Sequence, residues 1–211
     1  MKVVVIIGAG ELGRQLRHMM AQSSLTSSHR FLGWLDDTRT KDEKVDGFPV
    51  LGGLNEIEKL DMNIYFALGI GYNHLSFKQK LVDRLVSEGR NLLTIIHDSA
   101  LIDPSSIIEA GVVIYPGCIV DIGAKVEKGS LLNNGVIVSH GSSVGTASFL
   151  APGVTVCGNV KVGERCFIGA GSIIKDGVHV TDEVRLGSGF NLFENIDKKG
   201  TYIQRVINRK L

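Results

Sequence analysis

The stretch Ile107–Gly141, IIEAGVVIYPGCIVDIGAKVEKGSLLNNGVIVSHG, decides the fold. Its aliphatic residues recur every six positions, at Ile108, Ile114, Val120, Val126, Leu132 and Val138. The register extends in both directions. From Ile102 to Leu192 every sixth residue is Ile, Leu or Val, with no insertion. Three positions after the aliphatic residue glycine dominates, as at Gly111, Gly117, Gly123, Gly129 and Gly135. One position further on stand small or β-branched residues such as Cys118, Ala124, Ser130, Ser142 and Ser148. An amphipathic helix would space its apolar residues by three and four. A period of six with turn glycines marks a hexapeptide β-helix. Each hexad is a short strand and a corner. The aliphatic residue points inward, the small residue packs beside it, and glycine relieves the backbone at the corner.

The chain before Ile102 has a different pattern. KVVVIIG (Lys2–Gly8) is an apolar run rich in β-branched residues, hence a buried strand. ELGRQLRHMMAQ carries Leu12, Leu16, Met19 and Met20 at helical spacing. RFLGWLDD and NIYFALG give further strands, HLSFKQKLVDRLVSEG a second helix stopped at Gly89, and NLLTIIH a fourth strand. Alternating strands and helices predict a small parallel, Rossmann-like sheet with crossover helices. Between the first strand and first helix lies GAGELG, with Gly8, Gly10 and Gly13 in the dinucleotide-fingerprint spacing. Such a loop lets a phosphate approach the backbone at a helix N-terminus. It does not choose between NAD and a nucleotide sugar, although four strands are few for a full dinucleotide site. Asp36 and Asp37 end the second strand, where a ribose-binding acid sits. The bland alternative is a vestigial fold with an empty loop.

Composition excludes several classes. A formal net charge of +1 over 211 residues lacks the basic footprint of a nucleic-acid binder. Three cysteines do not form a disulfide framework. The early apolar run VVVIIGAG is followed by Glu11 without a cleavage site, so no signal peptide is expected. No segment approaches the roughly 20 apolar residues of a membrane span. A cytoplasmic, reducing setting is expected. Only His140 and His179 lie in the hexad run, too few for a zinc site shared between subunits, so no metal is expected.

The repeat places His140. One coil of three hexads puts Ile122 below it and Gly158 above it. Neither crowds the ring, and the backbone N–H of Gly158 lies close. A base and a hydrogen-bond donor on one face are what acyl transfer needs.

The motifs VVIIGAGELG, WLDD, ALG, IIHDSALIDPSS, LNNGVIVSHGSSVG and GNVKVGERCFIGAGSII, in that order, carry a resemblance over nearly the whole chain. The chain resembles the bacterial sugar O- and N-acyltransferases of the hexapeptide-repeat superfamily that carry an N-terminal nucleotide-binding domain. These include the sialic-acid O-acetyltransferases and the N-acetyltransferases of nucleotide-linked 4-amino-4,6-dideoxy sugars. The resemblance implies a Rossmann-like nucleotide-sugar domain over 1–97, a left-handed parallel β-helix over 98–196 and a capping segment over 197–211. It implies a homotrimer with acetyl-CoA between subunits. It implies that Gly8, Gly10, Glu11, Leu12, Asp36, Asp37 and Gly69 hold the nucleotide sugar, Leu12 standing where relatives often have histidine. It makes His140 the general base, Gly158 N–H the contact to the thioester carbonyl and Asn133 a site residue. Phe149, Ala170 and Ser188 would lie along the coenzyme.

Two positions depart from the pattern. Many relatives have an acid directly after the histidine, where this chain has Gly141, and a second histidine nine residues on, where it has Phe149. Asp121, one coil below Ser139, is the candidate replacement acid. The implied activity is N-acetylation of a nucleotide-linked amino sugar for surface glycan such as O-antigen, capsule or glycoprotein. The alternatives are O-acetylation of sialic acid or a related sugar, and a noncatalytic β-helix used for binding or assembly.

Overall fold

Eighteen residues close one coil. In the computed structural model, which describes residues 1–204, each β-helix strand pairs in parallel with the strand one coil on. Val113 pairs with Leu131, Ile119 with Ile137 and Lys125 with Ser143. The strands stack into three sheets of seven, six and five, the faces of a left-handed triangular prism. The first face runs from Ile95–Ile96 to Gly200–Tyr202, the second from Leu101–Ile102 to Asn191–Leu192, and the third from Ile107–Ile108 to His179–Val180. The hexad aliphatics fill the prism; Ile114, Leu132, Leu150, Val138 and Val156 are fully buried. Each such side chain contributes about 1.5–3 kcal/mol relative to exposure.

The coil, rather than the residue, sets the conformation of each corner. The expected glycines adopt left-handed geometry, with Gly111 at φ 74° and Gly141 at 65°. Ala147, Asn159, Arg165 and Glu183 occupy the same column and adopt it too, at φ 54–58°. Glycine is simply the least strained occupant of that turn. The small column also has a polar task. Ser130 Oγ donates to Gly145 O at 2.8 Å, Ser142 Oγ to Cys157 O at 2.6 Å and Ser148 Oγ to Gly163 O at 2.8 Å. Ser142 Oγ also accepts from Val160 N–H at 3.0 Å, and Ser148 Oγ from Cys166 N–H at 2.9 Å. These hydroxyls satisfy corner backbone groups that burial would otherwise orphan.

The N-terminal sheet has six strands rather than about four, in the order β3-β4-β2-β1-β5-β6. They are β1 (Lys2–Ile7), β2 (His29–Leu35), β3 (Lys44–Val45), β4 (Phe48–Gly52), β5 (Tyr65–Leu68) and β6 (Asn91–Leu92), with helices α1 (Glu11–Gln22) and α2 (Leu75–Ser87). All adjacent pairs are parallel except β3–β4, a hairpin turning at Asp46 (φ 49°) and Gly47 (φ 81°). The run NLLTIIH is two strands. Asn91–Leu92 closes the N-terminal sheet, and Ile95–Ile96 already opens the first face of the prism. The hexad register thus begins one repeat earlier, at Ile96. At the other end Gly200–Tyr202 adds a last rung over Val184–Leu186. Residues 205–211 of the expected capping segment lie outside the described residues. No helix among the described residues is long and apolar enough to cross a membrane.

The N-terminal domain covers the first face. Tyr72 stacks on Phe167 at 4.5 Å and meets Phe149 edge-on at 5.7 Å. Arg165 binds Gln79 of α2, and Tyr115 OH donates to Gln15 of α1 at 3.2 Å. The other two faces stay uncovered and differ. The third presents Lys125, Ser143, Lys161 and His179 outward. The second presents an apolar ladder, with Leu101 67%, Ile119 38% and Ile173 46% exposed.

Lys78 of α2 is 1% exposed at the domain junction, and its Nζ meets no hydrogen-bond acceptor among the described residues. Burial pushes this ammonium down to about 7. In the unfolded chain it titrates near about 10.4. Between those values the unfolded chain holds a proton that the folded one lacks, so this group's effect on stability becomes less unfavourable as pH rises. Lys78→Met is therefore expected to melt higher than the wild type at pH 7, with the gap closing towards pH 10. Equal melting temperatures across that range would contradict the assignment.

Candidate active site

The glycine loop has two kinds of glycine. Gly8 has φ 96°, and a Cβ there would stand 2.7 Å from Gly69 O. A Cβ at Gly13 would collide with Gly8 O, and one at Gly69 would stand 2.6 Å from Gly13 Cα. These three let α1 close onto the ends of β1 and β5. Gly10 differs. It caps α1 with φ −78°, and a Cβ there would meet nothing within 4 Å. Its missing side chain leaves open space at the helix N-terminus, where first-turn N–H groups have no intrahelical partner.

That space is a cleft of about 480 Å³ at the C-terminal ends of the strands. Gly8, Gly10, Asp36, Asp37 and Gly69 line it, joined by His74 and Phe77. Open parallel sheets bind ligands at these ends. A larger hollow of about 600 Å³ lies at the opposite ends, beside Lys2, Tyr65 and Asn91, where such sheets do not place ligands. Asp36 braces the loop. Its Oδ2 accepts from Ala9 N–H at 2.8 Å, and its Oδ1 from Thr38 N–H at 2.8 Å and Thr38 Oγ1 at 2.6 Å. Burial raises this carboxyl, but the hydrogen bonds from Thr38 and Ala9 outweigh it and hold it below the usual carboxylate range. Asp37 Oδ1 accepts from Leu54 N–H at 2.8 Å. The backbone of this cleft suits a phosphate, and its acids suit sugar or base hydrogen-bond donors.

Glu11 and Leu12 fall outside the cleft. Glu11 pairs with Arg14 at 3.1 Å and faces a second hollow, of about 490 Å³, between α1 and the prism. Leu12 packs half-buried against the core. Helix direction explains both: residues after the cap turn away from the strand ends.

His140 is exposed on the edge between the second and third faces. Its neighbours are those of the repeat. Gly141 N–H donates to Ile122 O at 3.1 Å, and Asn159 N–H to His140 O at 2.9 Å. A Cβ on Gly158, one coil above, would stand 2.5 Å from both Cε1 and Nε2 of the ring, so a side chain there would push the ring aside. The Gly158 N–H is not free, however; it donates to Asp176 Oδ1 at 3.0 Å. Asp121 turns to its own chain, where Oδ1 accepts from Ile122 N–H at 2.8 Å.

The other expected residues lie elsewhere. Asn133, Ala170 and Ser188 follow first-face strands, on the edge between the first and second faces. Asn133 Oδ1 accepts from Asn134 N–H at 2.8 Å. Phe149 is buried under Tyr72, in the domain junction, and faces no open groove. Within one chain the His140 edge is opposite the face that carries the nucleotide cleft. No cluster of metal-ligating residues occurs among the described residues.

Residues 3–85 match the PglD N-terminal domain, and residues 159–192 match the hexapeptide repeat of succinyl-transferase. The chain is 31% identical over 118 residues to UDP-N-acetylbacillosamine N-acetyltransferase of Bacillus subtilis (strain 168). That match spans 54% of this chain and about half, 51%, of the relative. The GDP-perosamine N-acetyl transferase of Caulobacter crescentus, solved as a histidine-to-alanine variant with CoA and GDP-perosamine, superposes with a TM-score of 0.84 at 26% identity, covering 95% of this chain and 93% of that one. The acetyltransferase domain of PglB from Neisseria gonorrhoeae FA1090, in complex with acetyl coenzyme A, shares the fold with a TM-score of 0.85 at 24% identity, covering 96% of each chain.

The two kinds of glycine are separable by mutation. Gly10→Val should lower the melting temperature by no more than the cost of a poorer helix cap and weaken nucleotide-diphosphate binding at least about tenfold in calorimetry, because the side chain enters the cleft without a clash. Gly13→Ala should lower the melting temperature, because its methyl group meets the loop backbone. The reverse pattern would contradict the division of roles.

Proposed function

We propose that this chain, which belongs to the hexapeptide-repeat sugar acyltransferases with a PglD-type N-terminal domain, transfers an acetyl group from acetyl-CoA to an amine of a nucleotide-linked 4-amino-4,6-dideoxy sugar. The observation that carries this reading is the pairing of a placed histidine, His140 with Gly158 one coil above, with a nucleotide-sized cleft built on the glycine loop. The Caulobacter relative, solved with GDP-perosamine and CoA, supports the choice of an amino-sugar acceptor. The product suits bacterial surface glycan, such as lipopolysaccharide O-antigen, and a cytoplasmic setting.

The proposed site takes in more than one copy. The cleft belongs to the domain on the first face and His140 stands on the edge opposite that face, so the reading takes the acceptor's cleft and its histidine from different copies of the chain. A homotrimer that buries the apolar second face, through Leu101, Ile119 and Ile173, sets the His140 edge of one subunit against the cleft side of its neighbour. The pantetheine arm then runs between subunits, along the backbone at Ala170 and Ser188.

The thioester supplies a good leaving group, so no nucleophilic residue is required. The first-turn amides of α1 and Gly10 hold the diphosphate, and Asp36 and Asp37 orient the sugar-nucleotide donors. His140 accepts the proton that the amine loses as its C–N bond to the acyl carbon forms. It returns that proton to sulfur as the C–S bond breaks.

Thiol release on mixing the protein with acetyl-CoA and UDP-, GDP- and dTDP-linked 4-amino sugars, with sialic acid alongside, tests the reading. Turnover is expected with an amino sugar, and His140→Ala should lower kcat by roughly 10²–10⁴-fold. Turnover with sialic acid alone, or an unchanged rate in the variant, would contradict it.

A further inference from the structure

We infer that Asp176, two coils above His140, is the carboxylate that positions the imidazole ring and balances its charge during turnover. This rests on the acetyltransferase reading. Ile122, His140, Gly158 and Asp176 form one column at the coil spacing of the prism edge. Gly158 leaves a gap in that column. The point its Cβ would occupy lies 2.5 Å from His140 Nε2 and Cε1, and 3.0 Å from Asp176 Oδ1. Ring and carboxylate thus share one space over bare backbone, and any side chain at 158 would wedge them apart.

Residue 141 carries no acid in this chain. Gly141 sits at φ 65°, and a Cβ there would stand 2.6 Å from Asn159 Oδ1. Asp176 supplies the charge from the same edge instead. The other ionisable groups on the coils here are Asp121, Cys157, Lys175 and Glu194, with Lys125, Lys161 and His179 outward on the adjoining third face. Asp121 is committed to Ile122 N–H. Burial and then the Asp176 carboxylate push the Cys157 thiol up, so the charge of Asp176 reaches this side of the edge. Asp176 holds the Gly158 N–H in the free protein. When a thioester carbonyl takes that N–H, the carboxylate is released towards the ring as the ring gains the amine proton. Asp176 stays ionised throughout and takes no proton itself.

Asp176→Asn tests this, because the amide oxygen still accepts from Gly158 N–H while the charge is lost. Measured alone and on the His140→Ala background, it should lower kcat roughly tenfold or more with KM values within about twofold. It should move the acid limb of the kcat/KM profile to lower pH, and cost nothing further once His140 is gone. Gly158→Ala, which inserts a methyl group between the partners, should reproduce the loss. With a non-transferable acetyl-CoA analogue bound, whose carbonyl takes the Gly158 N–H, the His140 ring resonance, followed by NMR against pH, should also titrate at lower pH in Asp176→Asn. That readout is independent of turnover. A wild type without acetyltransferase activity overturns the enzymatic reading, whereas an unmoved ring titration, or an equal loss on the His140→Ala background, overturns the role of Asp176.

Discussion

The inter-coil backbone ladder is the constraint on which the rest of this protein depends. Because strand pairs with strand one coil on, residue i lies beneath residue i+18 until the last coil, where Val184 pairs with Gly200. Hexad aliphatics therefore form continuous inner columns, and corner hydroxyls meet the carbonyls they must satisfy. The same rule makes chemistry out of a column. His140 has an open ring only because glycine stands one coil above, and Asp176 reaches that opening only because it stands a coil higher still.

The ladder also assigns a task to each face. The first face is covered by the N-terminal domain, through Tyr72, Phe149 and Phe167. The second is apolar and uncovered, and the third carries charged and polar residues. The N-terminal domain rests on a different kind of contact, the near-touching backbones of Gly8, Gly13 and Gly69. That contact aims α1 at the cleft, while Gly10 keeps the cleft open. The cleft thus sits on the domain over the first face and His140 on the opposite edge of the prism, which is why the proposed chemistry is set between copies of the chain.

Much of this was legible in the sequence, because a strict period reports a strict geometry. The hexads, the inward columns and the neighbours of His140 follow from counting. The prism's first strand did not, because NLLTIIH reads as one apolar run although its two halves belong to different sheets. The β3–β4 hairpin was signalled by Asp46-Gly47, but its strands are too short to show alternation. Glu11 and Leu12 were placed by motif alone, and helix direction turns them away. Asn133 is close to His140 in sequence, yet a corner separates them. Asp176 carried a signal that nearest-neighbour counting passes over, two coil lengths from His140 with glycine between.

Subunit complementation tests the central claim most directly. His140→Ala retains the cleft and Gly10→Val retains the histidine edge, so neither variant alone should turn over at more than a small fraction of the wild-type rate. If the site forms between copies, trimers reassembled from a mixture of the two contain sites with an intact cleft from one chain and an intact His140 from its neighbour. Acetyl transfer should then return to roughly a quarter of the wild-type rate, as random mixing pairs the two intact halves at one site in four. A reassembled mixture as inactive as the separate variants would place both halves in the same chain and contradict the account.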